Sequence, residues 1–351
     1  LTEKGQEHCS YNWIITNQRY VKKDSTSYKI PKDYMGFFPH KDHKYSIDDL
    51  REYNMKDIEA LADTTDIAYF TDTYGIYVKE WFEGDYVTEF SSKIYGGMTN
   101  EEADYLIEMK KRNKPVILEF NTFASPTPFE IRKKITDEFE LEWSGWNGRY
   151  FDTLDSLKNK ELPDWMIERY EEQYKTNWDF HDAGIAFVNI SGKILILESG
   201  RHLKFEAPMI ITDSNNYRKY YDIPQRIVYP FWFDIISSKR DAEKKIVSRF
   251  QLYPNTLGDS LLADHNIPST FPAVISHNTD YKFFYFAGDF ADNKTHSWMS
   301  YFKYIDIFFK SFLYNPRNIT NRNRFFWKYY NPMMKVIMRD YYKEMKKELS
   351  S

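Results

Sequence analysis

The sequence predicts an α/β fold: a parallel sheet with helices between its strands, a β-rich insertion, and a helical, aromatic C-terminal tail. Three observations carry this. Residues 94–127 read as a turn, a capped helix and a buried strand ending in polar residues. Residues 184–236 hold several short strand-like runs around a hairpin signal, and residues from Ser297 onward are dense in aromatics with helical character.

Taken in order, residues 1–45 are polar and Lys/Tyr-rich with little periodicity, which predicts an irregular arm or a short strand pair. Ser46, with Asp49 at capping-box distance, predicts a helix whose apolar positions are Ile47, Leu50, Ile58 and Leu61. Residues 66–70 form a short strand, followed by the polar loop Thr71, Asp72, Thr73, Tyr74 and Gly75. Thr99 and Glu102 stand in capping-box spacing, where hydroxyl and carboxylate each satisfy a backbone N–H of the first turn. Ala103, Leu106 and Ile107 follow on one face, while Lys110, Lys111 and Arg112 place positive charge at the negative end of the helix dipole. Lys114-Pro115 stops that helix. Residues 116–120 are apolar except for Glu119, as in a strand covered on both faces, and should lie parallel to 67–70. A further helix is expected over 128–139.

The middle of the chain changes character. Residues 184–188 and 193–198 flank Asn189-Ile190-Ser191-Gly192, a hairpin signal, and more strands are expected at 209–212 and 227–236. A helix is expected over 242–250 and a buried strand over 282–287. Asn331 and Pro332 read as N-cap and N1 of a final helix reaching about Lys347. These signals divide the chain into an arm (1–45), an α/β core (46–175), a β-rich insertion (176–270), and core-closing strands with C-terminal helices (271–351).

Composition narrows the partners. With a net charge of −4 and a pI near 6.1, the chain has no global basic field, so a nucleic-acid partner is not expected. A single cysteine, Cys9, excludes an intramolecular disulfide framework and a Cys-rich zinc site. The most apolar run, 304–313, is broken by Asp306 and Lys310, so no membrane span is expected. Because the chain begins at Leu1, an upstream signal or anchor and an extracytoplasmic setting are expectations. Aromatics make up 19% of the residues, more than a core of this size requires, and that excess suits stacking on sugar rings or on a partner protein. Codon bias toward Tyr, Phe, Lys, Asn and Ile explains the same excess.

The order over 66–127, with the Thr-Asn-Glu-Glu helix start and the Val-Ile-Leu-Glu-Phe-Asn-Thr-Phe strand, resembles the class I glutamine-amidotransferase-like superfamily. The likeness is to its non-amidotransferase branches, such as the trimerisation domain of some β-galactosidases. The segment 271–290 is similar to the strand pair that closes those domains. The resemblance covers about a third of the chain and implies a flavodoxin-like sheet. It also implies a carbohydrate-linked role in binding or assembly, with a partner protein or homo-oligomer. The catalytic signature departs from the family. Glu119-Phe120-Asn121-Thr122 stands where the Gly-x-Cys-x-Gly elbow belongs, so glutaminase activity is not expected.

Asp72, Glu119 and Asn121 form the leading constellation, because parallel sheets bind ligands outside the carboxyl ends of their strands. Apolar surroundings can raise one carboxylate's pKa and leave the other ionised, which suits acid/base work on a glycosidic bond through Asp72 and Glu119. A structural role fits the same residues, with Asp72 capping a turn and Glu119 paired with a base such as Arg149. Tyr74 lies in the same loop. Trp143-Ser-Gly-Trp146-Asn-Gly-Arg149-Tyr150-Phe151-Asp152 reads as a ligand loop, since glycine admits close approach and arginine forks carboxylates or sugar hydroxyls. A Trp-anchored turn with Arg149 in an ion pair is the alternative. Asp289 and Asp292 follow a buried strand and could hold a cation, face the same cleft, or serve as turn and cap residues.

Other motifs carry less. His40 and His43 lack a third ligand nearby, and His181, His202, His277 and His296 are isolated, so no metal is expected. Ser199 lacks the glycine two residues before it that a nucleophile elbow needs. Gly96-Gly97 is a turn, no phosphate-binding loop is present, and no cofactor is expected. The 15 aromatics between Ser297 and Tyr342 fit helix packing better than a sugar platform. Two functions remain: a carbohydrate-linked binding or assembly protein whose ligand is an oligo- or polysaccharide, or a polysaccharide-acting glycoside hydrolase.

Overall fold

A computed structural model describes residues 6–29, 32–84, 91–239, 245–293, 295, 297–309, 314–315, 317–318 and 321–350. The chain divides into two compact units, one formed by 1–52, 212–227 and 290–351 and the other by 53–211 and 228–289.

The larger unit is mixed α/β. Its main sheet runs in the order Leu203–Ile211, Lys245–Pro254, Thr270–Asn278, Lys282–Phe286, Val116–Glu119 and Ala68–Phe70. The expected neighbours are confirmed: Ala68–Phe70 pairs parallel with Val116–Glu119, Phe70 opposite Leu118. Lys282–Phe286 lies parallel on the other side of Val116–Glu119, Phe286 opposite Glu119. Three strands therefore run parallel at one edge. From Lys282–Phe286 back to Leu203–Ile211 every pairing is antiparallel.

Local chemistry explains the helices of the parallel edge. Thr99 caps Asn100–Lys111 with the full box: Glu102 N–H donates to Thr99 Oγ1 at 3.1 Å, and Thr99 N–H donates to the Glu102 carboxylate at 2.7 Å. Helix Met55–Thr64 is capped by Asn54 with Asp57, not by Ser46 with Asp49. The spacing 46/49 misleads because Tyr45–Asp48 pairs as a strand with Gly36–Pro39, which commits Ser46 to a hairpin. Lys114 Nζ then caps the carbonyl end of Met55–Thr64, donating to Ala62 O and Asp63 O at 2.7 Å each. Helix Phe129–Glu138 forms close to its expected span.

A second, four-stranded antiparallel sheet has the order Trp232–Ser238, Leu141–Phe151, Gly184–Asn189, Ile194–Glu198. The hairpin at Asn189–Gly192 is confirmed: Gly192 takes φ +81° and the Asn189 side chain accepts from Ser191 N–H at 2.8 Å. The β-rich region thus supplies strands to both sheets. Phe233 packs between them, 5.2 Å from Phe250, 5.6 Å from Phe271 and 6.0 Å from Phe187 between ring centroids. The helix expected over 242–250 is not formed. Residues 242–244 lie outside the described residues, and Lys245–Pro254 is a central strand whose alternating burial matches its neighbours.

The smaller unit is mainly helical. Of the irregular arm or short strand pair expected for residues 1–45, a short strand pair does form, between Gly36–Pro39 and Tyr45–Asp48. Helix Gln6–Asn17, which holds Cys9, is additional. Its Trp13 is buried and meets Phe326 and Trp327 edge-on at 5.7 and 5.0 Å. The final helix, Asn331–Ser350, does not begin at an Asn331 cap. Asn331 is already helical (φ −58°, ψ −50°) and continues a π-helical turn over Phe326–Tyr330. Among the described residues no helix is long and apolar enough to cross a membrane.

Candidate functional site

The carboxyl ends of the three parallel strands form a polar corner. The chain leaves Ala68–Phe70 with Asp72 at φ +36° and leaves Val116–Glu119 with Asn121 at φ +66°. Asparagine tolerates that left-handed conformation, whereas an aspartate at +36° is held there by its surroundings. The holding contacts are direct. Asn121 Nδ2 donates to Asp72 Oδ1 at 2.6 Å, Thr73 Oγ1 donates to Asn121 O at 3.1 Å, and Gly97 N–H donates to Thr73 O at 2.7 Å. Asp72, Tyr74 and Asn121 are half-buried.

Below this rim the acids are sealed. Glu119 is 0% exposed and accepts from the Tyr69 hydroxyl at 3.0 Å. Asp234, also 0% exposed, comes from the second sheet. Its Oδ2 accepts from Asn121 N–H at 3.2 Å and from the Tyr285 hydroxyl, while its Oδ1 is buried with no hydrogen-bond partner among the described residues. Burial pushes the Asp234 carboxyl up to about 7, the two hydrogen bonds acting against that rise. Burial likewise holds the Tyr285 hydroxyl well above its ordinary range, with the Asp234 charge adding to the effect.

The edge of the second sheet closes beside the corner. Asp234 N–H donates to Ala287 O at 2.7 Å and Asp289 N–H donates to Trp232 O at 3.1 Å, which ties Trp232–Ser238 to the end of Lys282–Phe286. Trp232 stacks on Phe120 at 6.2 Å, and the Arg149 guanidinium lies 5.6 Å from the Trp232 ring and 4.5 Å from Phe151. Arg149 is ion-paired with Glu161, not with Glu119.

The structure thus brings together Asp72, Glu119 and Asn121, and sets Arg149 beside them through Trp232 and Phe120. Asp289, 7% exposed, sits at the neighbouring strand end. Tyr74 borders Gly96, where a Cβ would come within 1.9 Å of the Tyr74 carbonyl oxygen. The expected ligand loop 143–152 is a strand, Leu141–Phe151. Its glycines have structural causes. Gly145 takes φ +85° where the register against Trp232–Ser238 shifts, and a Cβ on Gly148 would meet the Phe233 ring at 2.3 Å. Register is continuous from Trp146 to Phe151, so Trp146 and Arg149 point to opposite faces. Trp146 is buried against His265, away from the corner. Trp143 is half-buried under Arg132 at 5.1 Å, and Asp152 is exposed just past the strand.

Sequence reasoning missed Asp234, Tyr285, Tyr69 and Trp232. The available signals were slight: Asp234 is the one acid in the apolar run 227–236, and Tyr285 the one hydroxyl in Lys282–Phe286. Among the described residues no group of three or more His, Cys, Asp or Glu is placed to hold a metal ion. Comparisons with protein-family models, with curated proteins and with solved structures return no match.

Proposed function

We propose that the rim formed by Asp72, Tyr74, Asn121, Arg149 and Trp232 binds a hydroxyl-rich ligand of the oligosaccharide class, and that the protein is a carbohydrate-linked binding or assembly protein. The carrying observation is a difference in exposure. Asp72 and Asn121 are half-buried and joined by a 2.6 Å hydrogen bond, whereas Glu119 and Asp234 are fully buried. Half-buried acid and amide groups beside an indole offer what sugar recognition uses: polar groups for hydroxyls and a flat apolar face for the ring. A glycosidase needs two carboxyl groups that face the scissile bond, and sealed acids do not meet that requirement. The amidotransferase-like resemblance, with the flavodoxin-like sheet it implies, rests on the sequence patterns over 66–127 and 271–290. Cys9 lies in a helix, which supports a role without glutaminase chemistry.

Calorimetric titration of a panel of neutral and acidic oligosaccharides is the test. At least one glycan should bind, and Trp232→Ala or Asp72→Ala should weaken it about tenfold, the loss expected for about 1.4 kcal/mol. No binding across the panel, or release of new reducing ends that depends on Glu119, contradicts the reading.

A further inference from the structure

The second surface lies in the smaller unit. Among the described residues, ten large apolar side chains are more than half exposed, and five of them fall within ten positions: Trp298 (60%), Tyr301 (54%), Phe302 (55%), Tyr304 (58%) and Ile307 (69%). Scattered singly such residues would need no explanation; concentrated in this way they mark a surface that meets something apolar. The backbone that carries them is fixed from beneath. Asn17 Nδ2 donates to Ser300 O at 3.4 Å and to Phe302 O at 3.2 Å, and Arg19 donates to Tyr301 O at 2.6 Å. Met299 and Ile305 turn inward, and Asp306 is ion-paired with Lys335 at 2.5 Å. The scaffold therefore holds these aromatics outward.

Charge identifies the occupant. Residues 298–328 carry six cations, Lys303, Lys310, Arg317, Arg322, Arg324 and Lys328, against one acid, Asp306, in a chain whose net charge is −4. The stretch that begins with the exposed aromatics is thus basic in a chain that is acidic overall. Trp and Tyr with flanking Lys and Arg is the combination that settles at the headgroup level of a bilayer, rings at the acyl boundary and cations on lipid phosphates. A protein partner's apolar groove would select the aromatics but not the local positive charge.

We propose that the face presented by Trp298, Tyr301, Phe302, Lys303, Tyr304 and Ile307 docks peripherally on an anionic lipid bilayer. Co-sedimentation of the full chain with phosphatidylcholine vesicles, and with vesicles containing about one third phosphatidylglycerol, is the experiment. Binding is expected to the anionic vesicles, to weaken with added salt, and to be much lower on neutral ones. Lys303→Glu should lower partitioning about fivefold or more, and Phe302→Ala with Ile307→Ala about tenfold. All three side chains are exposed, so circular dichroism should match the parent. If the double variant fails to fold, Lys303→Glu and salt dependence decide. Equal binding to both vesicles, no binding to either, or unchanged binding by both variants overturns the proposal. So does a concentration-dependent dimer, seen by sedimentation velocity, that the same variants abolish.

Discussion

Asn121 joins two acids that live in different surroundings. Its side-chain amide holds Asp72, which is half-buried at the rim, and its backbone N–H holds Asp234, which is completely buried between the sheets. The two carboxylates share a neighbour yet differ in what they can do. Asp72 keeps enough exposure to meet a ligand, while Asp234 is desolvated and retains one oxygen with no partner among the described residues. The comparison teaches that a shared neighbour does not decide a role; desolvation does.

The largest expected effect lies on the buried side. The Asp234 pKa is raised by burial to about 7, above the unfolded value near 3.8, so the native state binds the extra proton. Its stabilising contribution is fully present below about pH 3.8 and is lost as pH rises through about 7. Chemical denaturation should show the parent losing roughly 2–4 kcal/mol between pH 4 and pH 8 relative to Asp234→Asn, which cannot ionise. Parallel pH profiles for the two proteins would break the contrast between the acids.

Tyr285→Phe comes next. It removes the hydroxyl that donates to Asp234 and leaves a buried acceptor less satisfied, at an expected cost of about 1–3 kcal/mol in the same assay. The loss should be larger at pH 8, where the carboxylate is ionised, than at pH 5. Asn121→Ala should cost about 1–2 kcal/mol, because alanine tolerates φ +66° poorly and the link to Asp72 disappears. Asn121→Gly, which relieves the backbone term, should recover part of that loss.

How far these parts were legible in the sequence follows from the range of their interactions. The box Thr99/Glu102, the stop at Pro115 and the hairpin at Asn189–Gly192 are set by residues a few positions apart, and each forms as read. The pairing of Ala68–Phe70 with Val116–Glu119 was legible because both runs are short and apolar around one capped helix. The segment 143–152 was misread because Gly145 and Gly148 imitate loop glycines, while Gly148 is small to admit Phe233 from a strand 85 residues away in a different part of the chain. Asp234 was invisible for the same reason: its partners Asn121 and Tyr285 lie 113 and 51 positions distant. Asp72 and Asn121 were found because strand-end polarity is local, although their hydrogen bond is not.

The smallest expected effect on stability belongs to Asp72→Ala, within about 0.5–1 kcal/mol of the parent, since a half-exposed carboxylate regains water when its partner is lost. Its effect on binding should be the opposite in rank. The most direct test of the division between the two acids is therefore a calorimetric titration of a bound oligosaccharide against the parent, Asp72→Ala and Asp234→Asn at one pH. Affinity should fall about tenfold for Asp72→Ala and stay within about twofold of the parent for Asp234→Asn. Affinity lost with Asp234→Asn and kept with Asp72→Ala would contradict the account, because it would make the sealed acid the one that meets the ligand.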